Sequence, residues 1–149
     1  MGQRRKEALE EFSMPFEPGE VVAGKYEILD LIGLGGIGFV VAANHIELGE
    51  KVALKFLRPE ALENAEAVAR FAREARASVQ IKSEHVARVF DVGRRPDGTP
   101  FIVMEHLEGQ DLGALLREQS LHARGPLPVE AAVEYVLQAC EGLAAAHAR

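Results

Sequence analysis

Gly33-Leu34-Gly35-Gly36-Ile37-Gly38-Phe39-Val40 stands between two stretches with the composition of β-strands, and the fold turns on how it is read. Gly33, Gly35 and Gly38 keep a G-x-G-x-x-G spacing, with Gly36 a further glycine inside it. Glycines so placed let backbone amides approach a polyphosphate, because no Cβ separates the N–H groups from the ligand oxygens. The same spacing occurs in plain turns and in dinucleotide-binding βαβ units, so the residues that follow must decide. A dinucleotide site requires a helix N-terminus directly after the loop, where its dipole faces the pyrophosphate. Phe39-Val40-Val41-Ala42-Ala43-Asn44-His45 instead opens with aromatic and β-branched residues and soon meets Gly49, which is the pattern of a strand and a turn. The loop is therefore expected at the tip of a β-hairpin folded over a ligand.

The remainder of the chain agrees with one compact unit. Its 149 residues are one domain in length, 48% hydrophobic and 27% charged, an ordinary balance for a globular protein. A net charge of −6 argues against a general nucleic-acid binder. The single Cys140 cannot close an intramolecular disulfide, and no Cys/His cluster has zinc spacing, which suits a reducing, cytoplasmic setting. Met1-Gly2-Gln3-Arg4-Arg5-Lys6 leads into Glu7, Glu10 and Glu11 and not into the apolar core of a secretion signal. Lys6 stands where a myristoylation signal needs Ser or Thr. Residues 1–20 are expected to form a charged, flexible leader, with a helical turn or two through Leu9 and Phe12 that ends at Pro15, Pro18 and Gly19. No eighteen-residue apolar run is present, so no membrane span is expected.

From Tyr26 onward the pattern is regular. Tyr26–Ile32 reads as a first strand, Val40–His45 as a second, and Lys51–Leu57 as a third that Pro59 ends. Lys55 lies within that third, apolar strand, on the face it shares with Ala53. An ammonium there either reaches water from an edge or needs an anionic partner. The next segment, from about Asn64 to Lys82, carries Val68, Phe71, Ala75 and Val79 at helical spacing. Glu74 falls beside that stripe, so Lys55 and Glu74 would offset each other's burial cost if they met.

Glycine loop, Val52-Ala53-Leu54-Lys55 strand and the run Arg70-Phe71-Ala72-Arg73-Glu74-Ala75 resemble, in this order, the small lobe of bacterial, eukaryotic-like Ser/Thr protein kinases. Seventeen residues separate Gly38 from Lys55 and nineteen separate Lys55 from Glu74, which makes the joint pattern far more specific than any one piece. The resemblance covers roughly residues 25–149. It implies an α+β fold: a small lobe at 21–104, a hinge at 105–110 and the start of a large lobe at 111–149. The small lobe would hold a five-stranded antiparallel sheet and one regulatory helix, with Val86–Val92 and Phe101–Glu105 as its last two strands, and two helices of the large lobe would follow. Ser83-Glu84 stands where the family often has His-Pro, a departure expected to alter local packing only.

The resemblance also implies ATP as co-substrate and Mg²⁺ in the parent enzyme. Lys55 and Glu74 would form the catalytic ion pair. Ile32, Gly33, Gly35, Gly36, Gly38, Val40, Ala53, Lys55, Met104, Glu105, Leu107 and Asp111 would line the ATP site. Among them, Met104 would stand behind the adenine, hinge backbone groups of Glu105 and Leu107 would bond its edge, and Asp111 would contact the ribose while capping a helix at Leu112. Val129, Val133, Val136, Cys140 and Leu143 mark the stripe of a final helix, in which Cys140 reads as a core residue. The sequence ends at Arg149, before the family's catalytic aspartate and metal ligands, so the chain alone is expected to be inactive and its last helix available for self-association. The competing reading is a non-catalytic nucleotide-binding or protein-interaction module.

Overall fold

A computed structural model describes residues 12, 14–121 and 125–148. Its centre is an antiparallel sheet of β1 (Val21–Val22), β2 (Tyr26–Leu34), β3 (Gly38–His45), β4 (Glu50–Leu57), β5 (Val89–Arg94) and β6 (Pro100–Glu105), in the order β1-β2-β3-β4-β6-β5. Around it lie α1 (Pro59–Leu62), α2 (Ala65–Val79), α3 (Leu112–Leu121) and α4 (Val129–His147). The expected α+β class holds, with a sixth strand added. Val21–Val22 is too short to show a period in sequence and is held by its register with Glu27 and Tyr26. The fourth expected strand begins at Val89 and not at Val86, because Ser83–Val86 is a turn in which the Val86 amide bonds the Ser83 carbonyl at 3.4 Å.

Alternation along the strands divides the core in two. Ile28, Phe39, Val41, Leu54, Phe56, Phe101 and Val103 face one side of the sheet. Leu57 and Ile102 face the other, where Phe71 and Ala75 of α2 cover them. Helix α2 starts where its first amides find a partner: Asn64 Oδ1 accepts from Glu66 N at 2.9 Å and from Ala67 N at 3.1 Å.

The end of the leader packs against the sheet and does not hang free. Phe16 is only 4% exposed and belongs to the first core, with Phe12 and Met14 packed beside it. The reason is the aromatic rings on that face, which would otherwise meet water. The expected helical turn through Leu9 lies outside the described residues.

Beyond the sheet, Asp111 caps α3 by accepting the Ala114 amide at 2.7 Å. Helix α4 reaches the sheet through the turn before β5: Gly142 is buried, and a Cβ there would stand 2.9 Å from the His85 carbonyl oxygen. His85 Nε2 and Glu141 Oε2 lie 2.6 Å apart across the same contact. Cys140 is exposed in the structure and not in a core. Among the described residues no helix is long and apolar enough to cross a membrane.

Candidate functional site

The glycine-rich run is the tip of the β2–β3 hairpin. Gly33 pairs with Val40 and Leu34 with Phe39, leaving Gly35, Gly36 and Ile37 to turn the chain. Two bonds shape that turn: the Gly35 amide donates to the Gly38 carbonyl at 2.8 Å, and the Arg58 amide donates to the Ile37 carbonyl at 2.9 Å. The glycines serve different ends. A Cβ on Gly38 would lie 2.3 Å from the Phe56 carbonyl oxygen, so β4 itself requires glycine there, whereas a Cβ on Gly36 would meet nothing within 4 Å. Gly36 leaves open space at the tip, and Gly38 closes the hairpin against the sheet.

Beneath the hairpin the register sets four of the expected site residues on one face. Val40 pairs with Lys55 and Lys55 with Ile102, while Ala42 pairs with Ala53 and Ala53 with Met104. Directly paired residues of antiparallel strands point the same way. Val40, Ala53, Lys55 and Met104 therefore share the α2 side of the sheet, with Ala53 buried to 4% exposure. Ile32, on the outgoing limb of the hairpin, is partly exposed.

Lys55 and Glu74 are both present on that side but are not paired. The Lys55 Nζ stands 6.0 Å from the centroid of the Phe71 ring. Glu74 instead lies 3.9 Å from Arg70 one turn earlier on α2, and both side chains are about half exposed. Among the described residues Lys55 makes no ion pair. Such a solvated i, i+4 contact is worth little, on the order of 0.3–0.5 kcal/mol, so it does little to hold Glu74 where it stands.

The hinge is less open than expected at its first residue. Glu105 still pairs with Val52, and its amide donates to the Arg88 carbonyl at 2.8 Å while its carboxylate accepts the Arg88 amide at 3.1 Å. Leu107, past the strand and 65% exposed, has no hydrogen-bond partner among the described residues. Asp111 is exposed and occupied by its cap. The residues that sequence reading missed are Arg58, whose amide holds the loop tip, and Phe16 behind the sheet; neither belongs to a periodic pattern.

The donor set for a metal is thin. Among the described residues no group of three or more His, Cys, Asp and Glu side chains is placed to hold a cation. The Mg²⁺ that the resemblance implies finds no such donor set among the described residues.

A glycine hairpin over a strand lysine, with a helix packed on the same face, is the nucleotide-binding lobe of a kinase, and the protein kinase domain family matches residues 26–149. The chain belongs to that family. It is 36% identical over 129 residues to a probable serine/threonine-protein kinase of Clostridium perfringens, covering 87% of this chain and 18% of that protein. With the serine/threonine-protein kinase Pkn3 of Myxococcus xanthus it shares 39% identity over 129 residues, 87% of this chain and 23% of the other. The crystal structure of the PknI kinase domain of Mycobacterium tuberculosis superposes with a TM-score of 0.72 at 27% identity, over 90% of this chain and 52% of that one. The chain thus spans about half of a solved kinase domain and under a quarter of either of these curated relatives.

Proposed function

We propose that this chain is the ATP-binding part of a protein Ser/Thr kinase, whose whole reaction moves the γ-phosphate of ATP to a protein hydroxyl. The observation that carries this reading is the register Val40–Lys55–Ile102, which sets a lysine under the glycine hairpin on the face it shares with Ala53 and Met104. Phosphoryl transfer depends on positioning and charge neutralisation. Lys55 supplies a point charge for the phosphates, and the Gly36 amide at the loop tip meets them from above. Ile32, Val40, Ala53 and Leu107 enclose the adenine, with Met104 behind it and the Leu107 backbone at its edge. Asp111 meets the ribose while keeping its cap. Glu74 leaves Arg70 for Lys55 when α2 turns toward the site, an exchange of one solvated partner for another.

By itself the 149-residue chain transfers no phosphate in this reading, because proton acceptance and metal binding need residues it does not hold. The exposed stripe of α4, with Val133 at 51%, Val136 at 61% and Leu143 at 57% exposure, pairs with a second copy in concentrated solution.

Calorimetric titration with ADP tests the binding site. Lys55→Met is expected to weaken affinity by about tenfold or more, the loss of a charged contact of roughly 1.4 kcal/mol or above, with the melting temperature unchanged. Equal affinity in the variant would overturn the assignment of Lys55. Magnesium-dependent incorporation of labelled phosphate by the purified chain would refute the inactive reading.

A further inference from the structure

The segment Met14–Glu20 crosses the outer face of the sheet and is fastened there in three ways. Its backbone extends the sheet bonding, with Gly19 N donating to Ile28 O at 2.8 Å and Ile28 N donating to Glu20 O at 2.9 Å. Its Phe16 ring lies 4.6 Å from Phe56 and 6.1 Å from Phe39, centroid to centroid. From the β5–β6 turn, Arg95 sets its guanidinium 4.7 Å above Phe16 and reaches Glu20 at 3.8 Å and Asp97 at 3.4 Å. Just ahead, Phe12 lies 5.2 Å from Phe39, with the Arg58 guanidinium 5.3 Å over its ring.

These contacts converge on the roots of the glycine-rich loop. Phe39 directly follows Gly38 on the returning limb and stacks on Phe56 at 5.4 Å and 20°. Phe56 lies two residues before Arg58, whose amide holds the Ile37 carbonyl. The tip itself is exposed at Gly35, Gly36 and Ile37, with little packing of its own. Segments with few buried contacts open easily and take their position from what anchors them. Here the anchor is the Phe39–Phe56 stack, and the ring that backs it is Phe16.

We propose that Phe12 and Met14–Glu20 form a positioning strap: by pressing Phe16 and Phe12 on Phe39 and Phe56, it sets the glycine-rich loop over the nucleotide on the opposite face. Phe16 touches no ligand and acts through Phe39. Taking the ring away leaves a void that Phe39 tips into, and the limb bearing Gly38 moves with it. The nucleotide half of this proposal rests on the ATP-site reading above.

Hydrogen exchange resolved by peptide, together with ADP titration, tests the strap on the whole chain. Phe16→Ala is expected to raise exchange in residues 33–40 by about tenfold while Ala65–Val79 on the other face keeps wild-type rates. ADP affinity should fall about three- to tenfold, and Phe16→Leu should recover most of both losses by refilling the space. If Phe16→Ala does not fold, Arg95→Gln, which removes the clasp and leaves the core, is expected to show the same pattern at smaller amplitude. Unchanged exchange in residues 33–40, or a uniform rise that includes α2, overturns the proposal. Wild-type protein that binds no ADP overturns the ATP reading instead, and the strap then stands or falls on exchange alone.

Discussion

Gly38 and Gly36 belong to one motif yet meet different surroundings, and alanine at each position separates what the fold demands from what a ligand demands. A Cβ at Gly38 would stand 2.3 Å from the Phe56 carbonyl oxygen, about 1 Å inside ordinary contact distance. To relieve it, β3 must draw away from β4 at the Gly38–Leu57 pair, straining the adjacent bond between the Arg58 amide and Ile37. Overpacking of this kind costs about 1–3 kcal/mol, which for a chain of this size is a melting temperature lower by roughly 3–10 °C. At Gly36 nothing lies within 4 Å and the backbone is outside the left-handed region. Alanine there restricts the unfolded chain and adds about 0.4–1 kcal/mol of stability, while its methyl group stands where phosphates would approach. Thermal unfolding by circular dichroism, paired with ADP titration, should therefore show Gly38→Ala destabilised and Gly36→Ala stable but weak in binding. A Gly38→Ala protein melting within about 1 °C of wild type, or a Gly36→Ala protein melting as low as its neighbour, would refute the reasoning.

Asn64→Ala removes the side chain that accepts two amides at the start of α2 and should lower stability by about 1 kcal/mol, read as a shift in the urea midpoint with unchanged slope; no shift would show that the cap carries no energy. The Thr99 amide and hydroxyl, helped by Arg95, hold the exposed Asp97 carboxylate below its ordinary value of 3.8. A depressed carboxylate contributes stability that is present above pH 3.8 and is lost as pH falls through the lower folded value. Asp97→Asn should therefore flatten the acid limb of the stability curve below that point and leave its neutral part parallel to wild type, and an acid limb of unchanged slope would count against this. For the α4 stripe, light scattering over a dilution series should show mass rising with concentration in the wild type and not in Val136→Glu, whose charge faces the proposed partner; a wild-type protein that stays monomeric throughout ends that proposal.

The fold was legible where apolar period and register coincide. Ala53 and Lys55 could be placed on one face of their strand from alternation, whereas Val40 and Met104 were set beside them by the resemblance, since alternation within one strand does not give the register that pairs it with the next. Lys55 could be singled out because a charge inside such a strand is anomalous. Other features left no such trace. Val21–Val22 is held by backbone bonds, which any residue supplies, and α1 is a single turn after Pro59 with no room for a repeat. Phe16 is one aromatic residue in a charged leader, and only the rings across the sheet explain its burial. The neighbour of Glu74 was readable in principle, since Arg70 stands four residues earlier. Spacing names both the helical partner and the distant lysine, and it does not rank two contacts that differ by so little energy.

The strap also bears on where this unit begins. The match to the protein kinase domain family model starts at Tyr26, yet Phe16 and Val22 lie in the same core as Phe39, Phe56 and Phe101. A polypeptide started at the family boundary would begin after both, with part of its aromatic face turned to water. Contiguous apolar surface of that kind drives association between copies, so poor solubility in such a shortened protein would reflect a missing piece of its own core and not a defect in the sheet. The unit that folds is longer, at its beginning, than the span that the family model matches.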